Sequence, residues 1–312
     1  MKPRLLQHGR LLSSLEAAIA AEFDVHPLWK EADPQAFLAR HGSEFSGLVT
    51  SARVGADAAL IEALPALKVI ASFGVGYETL DLESARRRGV VVSNTPDVLN
   101  DCVADLAFGL LIDVARGISA ADRFVRRGDW ERGIFPLTTR VSGKRLGILG
   151  LGRIGQTIAR RSAGFEMDVR YHSRRPVPDV PWTYEASAAS LAEWADFLVV
   201  ACAGGAATRH LVSAEVLQSL GPDGFLINIA RGSVVDERAL VSALSERRIA
   251  GAALDVFENE PQVPQELLAL DNVVLLPHIA SGTRETRQAM ADLVLANLRS
   301  YFTKGRLETP IA

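Results

Sequence analysis

At 312 residues the chain is long enough for two domains of the usual ~100 to 200 residues each. Its hydrophobic content of 48% with only 6% aromatic suits helices packed on buried sheets, and excludes a disordered or disulfide-held chain. A formal net charge of -3 excludes the strong basic field that draws nucleic acid or an anionic membrane. Cys102 and Cys202 lie far apart in apolar surroundings and read as small core residues, neither a disulfide nor a metal pair, so no metal site is expected. No apolar run reaches ~18 residues, and "MKPRLLQHGR" lacks the apolar stretch of a signal peptide, which makes the cytoplasm the expected compartment.

Along the chain, short apolar runs alternate with helical patterns. "RLLQ", "FDVHPL", "GLVT", "LKVIASF" and "GVVVSN" read as strands, with helices at Asp57 to Ala63 and Asp81 to Arg88 among the segments between them, so a small parallel α/β unit is predicted. The run Arg86-Arg87-Arg88 reads as the solvated end of a helix, where cations complement its dipole. From about Asp101, Val103, Leu106, Ala107, Leu110, Leu111 and Val114 recur at helical spacing and give a long helix one apolar face. Residues 117–144, rich in charge and glycine, read as a loop. Six further strands follow: "RLGILG", "DVRYH", "FLVVA", "GFLINI", "GAALDV" and "NVVLLP". Joined by helical crossovers they make a doubly wound, mostly parallel sheet, whose ligands bind beyond the carboxyl ends of the strands. A last helix runs from Arg284 to Phe302, with Met290, Val294 and Leu298 on one side.

In "RLGILGLGRIGQ", Gly150, Gly152 and Gly155 stand in GxGxxG register between a strand and a helix. The first glycine permits the tight turn, the second lets the backbone approach a pyrophosphate, and the third lets the helix pack closely on the strand. The helix N-terminus then faces the phosphates with free N–H groups and about half a positive charge. An acidic residue is expected at the end of the next strand to bind the adenosine ribose. The chain instead offers His172, Ser173, Arg174 and Arg175, while Asp168 sits at the wrong end of that strand. A hydroxyl and two guanidinium groups suit the 2′-phosphate of NADPH, which a carboxylate would repel.

Three ionisable residues each follow a later strand: Arg231, Glu260 and His278. Each alone is commonly an ordinary loop residue. In a parallel sheet, however, all three strand ends open on the side where the glycine turn lies. An arginine can grip a carboxylate and polarise a neighbouring carbonyl, a histidine can protonate the carbonyl oxygen, and a glutamate can orient the imidazole and favour its charged form. Together with a hydride carrier, such a set reduces a 2-keto acid.

"GLGRIGQ", "NIARGSVVDERAL", "GAALDVFENEP" and "LLPHIASGT", in that order, resemble the D-isomer-specific 2-hydroxyacid dehydrogenases, and the likeness covers nearly the whole chain. The resemblance implies an α/β fold of two Rossmann-like, doubly wound parallel-sheet domains with a cleft between them. Residues 1–99 plus 282–312 would form a flavodoxin-like substrate-binding domain and 100–281 the dinucleotide-binding domain, with the two long helices at the crossings. It implies that Arg231, Glu260 and His278 are the catalytic set, with His278 as acid/base. Arg153 and Ile154 beside the glycines, Thr208, Ala230, Asp255 and Ser281 would line the cofactor. The backbone of Val75 and Gly76, in "ASFGVGYETLD", would hold the substrate carboxylate together with Arg231 and His278.

More narrowly, "PLTTRVSGKRLGILGLGRIG" and "HIASGTRETRQAMADLVLANL" resemble the hydroxypyruvate, glyoxylate and hydroxyphenylpyruvate reductases, with 2-ketoaldonate reductases as close kin. That group carries a Tyr, a small polar residue and one or two arginines after the second strand, which "YHSRR" matches. The expectation is an NADPH-preferring reductase of glyoxylate or hydroxypyruvate, with NADH as a weaker alternative, acting as a homodimer without nucleic-acid or membrane partners. Two departures stand out: "ACAGGAATRH" lacks the proline frequent in relatives, and Val103 replaces a residue often polar. The stretch Arg127 to Arg140, with Trp130, shapes substrate access in some relatives and can come from a partner subunit. A rival reading is a dinucleotide-sensing corepressor of the same fold, whose added interaction tails nothing here resembles.

Overall fold

The computed structural model describes residues 2–311, which form two compact units: one runs up to Leu99 and resumes at Thr283, and the other spans Asn100–Gly282. The first unit contains β1 (Arg4–Gln7), α1 (Ser13–Glu22), β2 (Asp24–Pro27), α2 (Pro34–His41), β3 (Gly47–Ser51), α3 (Ala58–Glu62), β4 (Val69–Phe73), α4 (Leu82–Arg87) and β5 (Val91–Ser93). Its sheet is wholly parallel in the order β2-β1-β3-β4-β5. Layers on both faces explain why all five residues of β4 are buried, four of them apolar. Asp33, Asp57 and Asp81 start α2, α3 and α4, each carboxylate accepting the N–H three residues on.

The arginine run at the end of α4 is only partly solvated. Arg86 is exposed, and Arg87 pairs with Glu83 on its own helix at 3.1 Å. Arg88 is instead half-buried and donates to the carbonyls of Ile61 and, at 2.9 Å, Leu64. It thus adds a second donor to two carbonyls, at and just after the end of α3, that also accept from Leu64 N and Leu67 N.

The second unit contains α5 (Asn100–Arg116), α6 (Ile118–Arg126), β6 (Arg145–Leu149), α7 (Arg153–Arg161), β7 (Asp168–His172), β8 (Thr183–Tyr184), α8 (Ala188–Trp194), β9 (Phe197–Val200), α9 (Ala214–Leu220), β10 (Phe225–Asn228), α10 (Glu237–Ser245), β11 (Gly251–Leu254), α11 (Gln265–Leu268) and β12 (Val273–Leu275). All its strands are parallel, ordered β12-β11-β10-β9-β6-β7-β8. The sheet thus has seven strands where six were expected. The extra one, β8, is a two-residue edge strand, too short to show any periodicity. On α5, Val103, Ala107, Leu110 and Leu111 are buried while Leu106 and Val114 are only partly so; the helix packs on α7, β10 and β11.

The stretch expected to be a loop contains α6. Gly117, at φ 60, ends α5 and begins α6, and Asp122 pairs with Arg126 one turn later at 2.8 Å. No residue of α6 is buried, so no core-facing stripe announced it.

The chain returns to the first unit with α12 (Arg284–Lys304), which packs on β4 and α1 and buries Met290, Val294 and Leu298. Fully buried Asn297 accepts from Glu308 N and Thr309 N and donates to Thr309 Oγ1, and Ile311 N reaches Val92 O at 2.8 Å. The last residues therefore join the edge of β5.

Replacing Arg88 by Met keeps its aliphatic stem but removes its hydrogen bonds to the Ile61 and Leu64 carbonyls, which keep only their backbone donors. The expected cost is about 1–2 kcal/mol in denaturant unfolding, against no measurable change for Arg86→Met. Equal effects of the two substitutions would contradict the capping role.

Candidate functional site

Within the second unit the strand order reverses at β6, between β7 and β9, and the turn after β6 carries the glycines. Gly150 has φ +98, and a Cβ there would lie 2.5 Å from the Cys202 Cα. Gly155 would set a Cβ 2.1 Å from the Gly150 carbonyl oxygen, so it lets α7 close on the turn. Gly152 differs. It has no positive φ, and a Cβ there would meet nothing within 4 Å. The chain's own packing does not require glycine at 152, which leaves an open cradle over the N-terminus of α7. No side chain caps that helix, and Arg153 and Ile154 form its first turn. Free N–H groups and open space are what a pyrophosphate needs. Burial pushes the neighbouring Cys202 thiol up to about 11, so it stays neutral and serves as packing behind the turn.

At the end of β7, Arg174 and Arg175 are exposed, and among the described residues neither pairs with a carboxylate. Glu185, the nearest acid on β8's side, is taken by Arg170 at 2.8 Å. The Nδ1–H of His172 donates to the Glu185 carbonyl, also at 2.8 Å. The Ser173 hydroxyl donates to the Arg175 carbonyl at 2.7 Å and shapes the turn. Thr208 behaves similarly, donating to Ala203 O at 2.7 Å and closing the loop after β9.

The turns after β10, β11 and β12 carry the ionisable residues. Buried Asn228, the last residue of β10, accepts from Ala230 N and donates to Arg231 O, both at 3.0 Å, and so fixes the turn bearing Arg231. Next to it, Gly232 lies where any Cβ would strike Phe257 and Glu258, which lets the Arg231 turn press against the Glu260 loop. The Glu260 carboxylate accepts from Phe257 N at 3.2 Å through one oxygen and from His278 Nδ1 at 2.8 Å through the other. Because an ionised carboxylate only accepts, the His278 proton sits on Nδ1, and Nε2 is left for chemistry on a side chain 44% exposed.

His278 holds φ 55, a left-handed conformation that a non-glycine residue adopts only when its surroundings fix it. Asp255 does so. Fully buried, it accepts from Ile279 N at 2.7 Å and Ala280 N at 2.8 Å, one amide on each oxygen. Burial pushes its carboxyl above the usual carboxylate range, and the two amides act the other way. Asp255 thus also anchors the His278 turn. The Cys102 thiol adds a bond to Ala280 O at 3.0 Å, and Ser281 completes the turn closed by Gly282 N on Ile279 O. Asn228 and Gly232 were missed in the sequence, although an Asn inside the apolar run "FLIN" signals a buried polar group that must be satisfied.

In the first unit, Val75 and Gly76 follow β4. Asn94 donates to Val75 O at 2.7 Å, and Thr95 Oγ1 accepts from Gly74 N at 3.1 Å. Among the described residues the N–H groups of Val75 and Gly76 have no acceptor, so this strapped loop presents two adjacent donors.

A family model, the NAD binding domain of D-isomer specific 2-hydroxyacid dehydrogenase, matches residues 108–280. A hydroxyphenylpyruvate reductase from Plectranthus scutellarioides is 49% identical over 297 residues, 95% of either chain. A glyoxylate/hydroxypyruvate reductase A from Arabidopsis thaliana is 48% identical over 299 residues, 96% of either chain. Among solved structures, an NADPH-dependent glyoxylate/hydroxypyruvate reductase from Sinorhizobium meliloti, in complex with NADP and malonate, has a TM-score of 0.94 at 44% identity, covering 100% of this chain and 97% of that one.

Alanine at 152 and at 155 should part company. Gly152→Ala is expected to melt like the parent yet bind dinucleotide at least tenfold more weakly by titration calorimetry. Gly155→Ala should lose stability first. Unchanged affinity in Gly152→Ala would show that nothing approaches the cradle.

Proposed function

Because this chain belongs to the D-isomer-specific 2-hydroxyacid dehydrogenase family, we propose that it is an NADPH-preferring reductase of small 2-keto acids, glyoxylate and hydroxypyruvate foremost, yielding D-2-hydroxy acids. The observation that carries this reading is the 2.8 Å His278–Glu260 pair at the sheet edge that also bears the dinucleotide turn. A bound nicotinamide supplies the hydride that adds to C2. The chain's own groups handle charge and position. His278 delivers a proton through Nε2 to the carbonyl oxygen as negative charge builds there, and Glu260 stabilises the imidazolium before that transfer. Arg231 offers a planar fork to the substrate carboxylate, and within the first unit the amides of Val75 and Gly76 are donors of the kind a carboxylate accepts from. Ala230, buried beside Arg231, would pack against the nicotinamide, with Ser281 near it.

The preference for NADPH rests on the end of β7, where two unpaired guanidinium groups stand and the Glu185 carboxylate is held by Arg170. A dianionic 2′-phosphate gains there, whereas an acid in that place would repel it. NADH would serve as a weaker alternative. Hydroxyphenylpyruvate is the second substrate reading, favoured by the 49% identity to a reductase of that acid.

We also propose a homodimer. Ile118 and Val125 on α6 are each 53% exposed, Trp130 is 70% exposed, and Ile134 and Leu137 stand almost wholly clear of the fold at 95% and 102%. Ile112, Ala121, Phe135 and Pro136 line a groove beside them. Aliphatic side chains so extended gain only by burial against another surface, and a second copy supplies a self-complementary one.

NADPH oxidation with glyoxylate, hydroxypyruvate, hydroxyphenylpyruvate and 2-ketogluconate tests the reading. His278→Ala is expected to lose about 10²- to 10⁴-fold in turnover while still binding NADPH. Arg174→Ala should raise the KM for NADPH and leave that for NADH unchanged. Full turnover in His278→Ala refutes the acid/base role, and an unmoved NADPH KM refutes the phosphate grip. For assembly, sedimentation of the wild type should give twice the chain mass and Leu137→Asp a smaller species; a monomeric wild type ends the dimer proposal.

A further inference from the structure

The loop holding Glu260 is itself held, by groups the proposed chemistry does not use. Glu258, two residues before Glu260, has its side chain only 20% exposed. Its Oε1 accepts from Arg209 at 2.7 Å and from His210 Nε2 at 3.1 Å, and its backbone N–H donates to Glu237 Oε2, at the start of α10, at 3.1 Å. Arg209 and His210 directly follow Thr208, in the loop after β9 that would line the cofactor. His210 has φ 53 and donates its own N–H to Ser233 O at 2.9 Å, in the turn after β10. A histidine stays left-handed only when contacts on both backbone and ring hold it there. The loops after β9 and β11 therefore meet at one carboxylate, and the turn after β10 is tied to them through the His210 N–H.

A surface ion pair would contribute little, since Arg209 is 58% exposed and such pairs are weak in water. The geometry argues for more than that. One oxygen takes two donors from adjacent residues, one of them in a strained conformation, and any shift of Glu258 moves the peptide that leads to Glu260. We infer that Glu258 is a positioning residue for the acid/base pair, gripped by Arg209 and His210 so that the loop lining the cofactor sets the place of Glu260 and, through it, of His278. This rests on the reading of His278 and Glu260 as the acid/base pair.

Steady-state turnover of full-length variants with saturating NADPH and glyoxylate tests it. Glu258→Ala is expected to lower kcat about tenfold, with the KM for glyoxylate within twofold of wild type because Arg231 is untouched. Glu258→Gln, which keeps an acceptor oxygen in the same place, should recover kcat to within about threefold. A kcat within twofold of wild type in Glu258→Ala overturns the inference, as does equal impairment of the Ala and Gln variants with matching losses of thermal stability. Should Glu258→Ala not fold, Arg209→Ala takes over: at least a threefold fall in kcat supports the inference, and none refutes it. His278→Ala run alongside separates the two claims. If it turns over like wild type, the acid/base reading has failed and the positioning role with it; if it is inactive while Glu258→Ala is not, positioning alone has failed.

Discussion

Parallel pairing governs where chemistry can occur in this chain. A strand cannot be joined to a parallel neighbour by a tight turn, so each must leave the sheet at its carboxyl end and come back through a crossover, usually helical. In the second unit all seven strands obey this, and the turns bearing Gly150, Ser173, Thr208, Arg231, Glu260 and His278 consequently emerge along one edge. Reversal of strand order at β6 leaves the crevice where no crossover covers the sheet. The first unit follows the same rule with five strands, and the loop of Val75 and Gly76 leaves the carboxyl end of β4.

Gathering loops on an edge does not by itself fix side chains to the precision that proton transfer needs. Buried polar groups supply that. Asn228 ties the Arg231 turn, Asp255 clamps the amides after His278, and Glu237 takes the N–H of Glu258. Asn228 and Asp255 are removed from water and would each cost about 1–3 kcal/mol if left unpaired, while Glu237 is only partly buried. Displacement of the turn each holds is therefore opposed by the loss of its bond. Gly232 works by absence of a side chain, since only then can the Arg231 turn touch Phe257. The strained backbone of His278 marks where this restraint is concentrated.

Charge is arranged in the same manner at the end of β7. Glu185 is occupied by Arg170, which also lies over the Trp194 ring at 4.4 Å, so that acid is withdrawn from the ribose position. Arg174 and Arg175 remain outside this network, and their positive field faces solvent. These two unpaired cations are what the proposed preference for NADPH rests on.

The sequence by itself determined the parallel α/β class, most strands, the glycine turn and the residues that follow each strand, because apolar runs, helical spacing and glycine register are local signals. It also made Gly155 and Gly150 readable, their need for close approach being built into the strand-turn-helix pattern. It could not show α6, which has no buried face, or β8, which has two residues. Arg88 read as solvent-facing because its carbonyl partners lie on α3, far back in the chain. Nor could it show that Asp255 anchors the turn after His278, or bring Glu258 to Arg209 and His210. Only tertiary structure decided these, because a hydrogen bond between distant loops depends on where the sheet sets their ends, and nothing in local spacing encodes that distance.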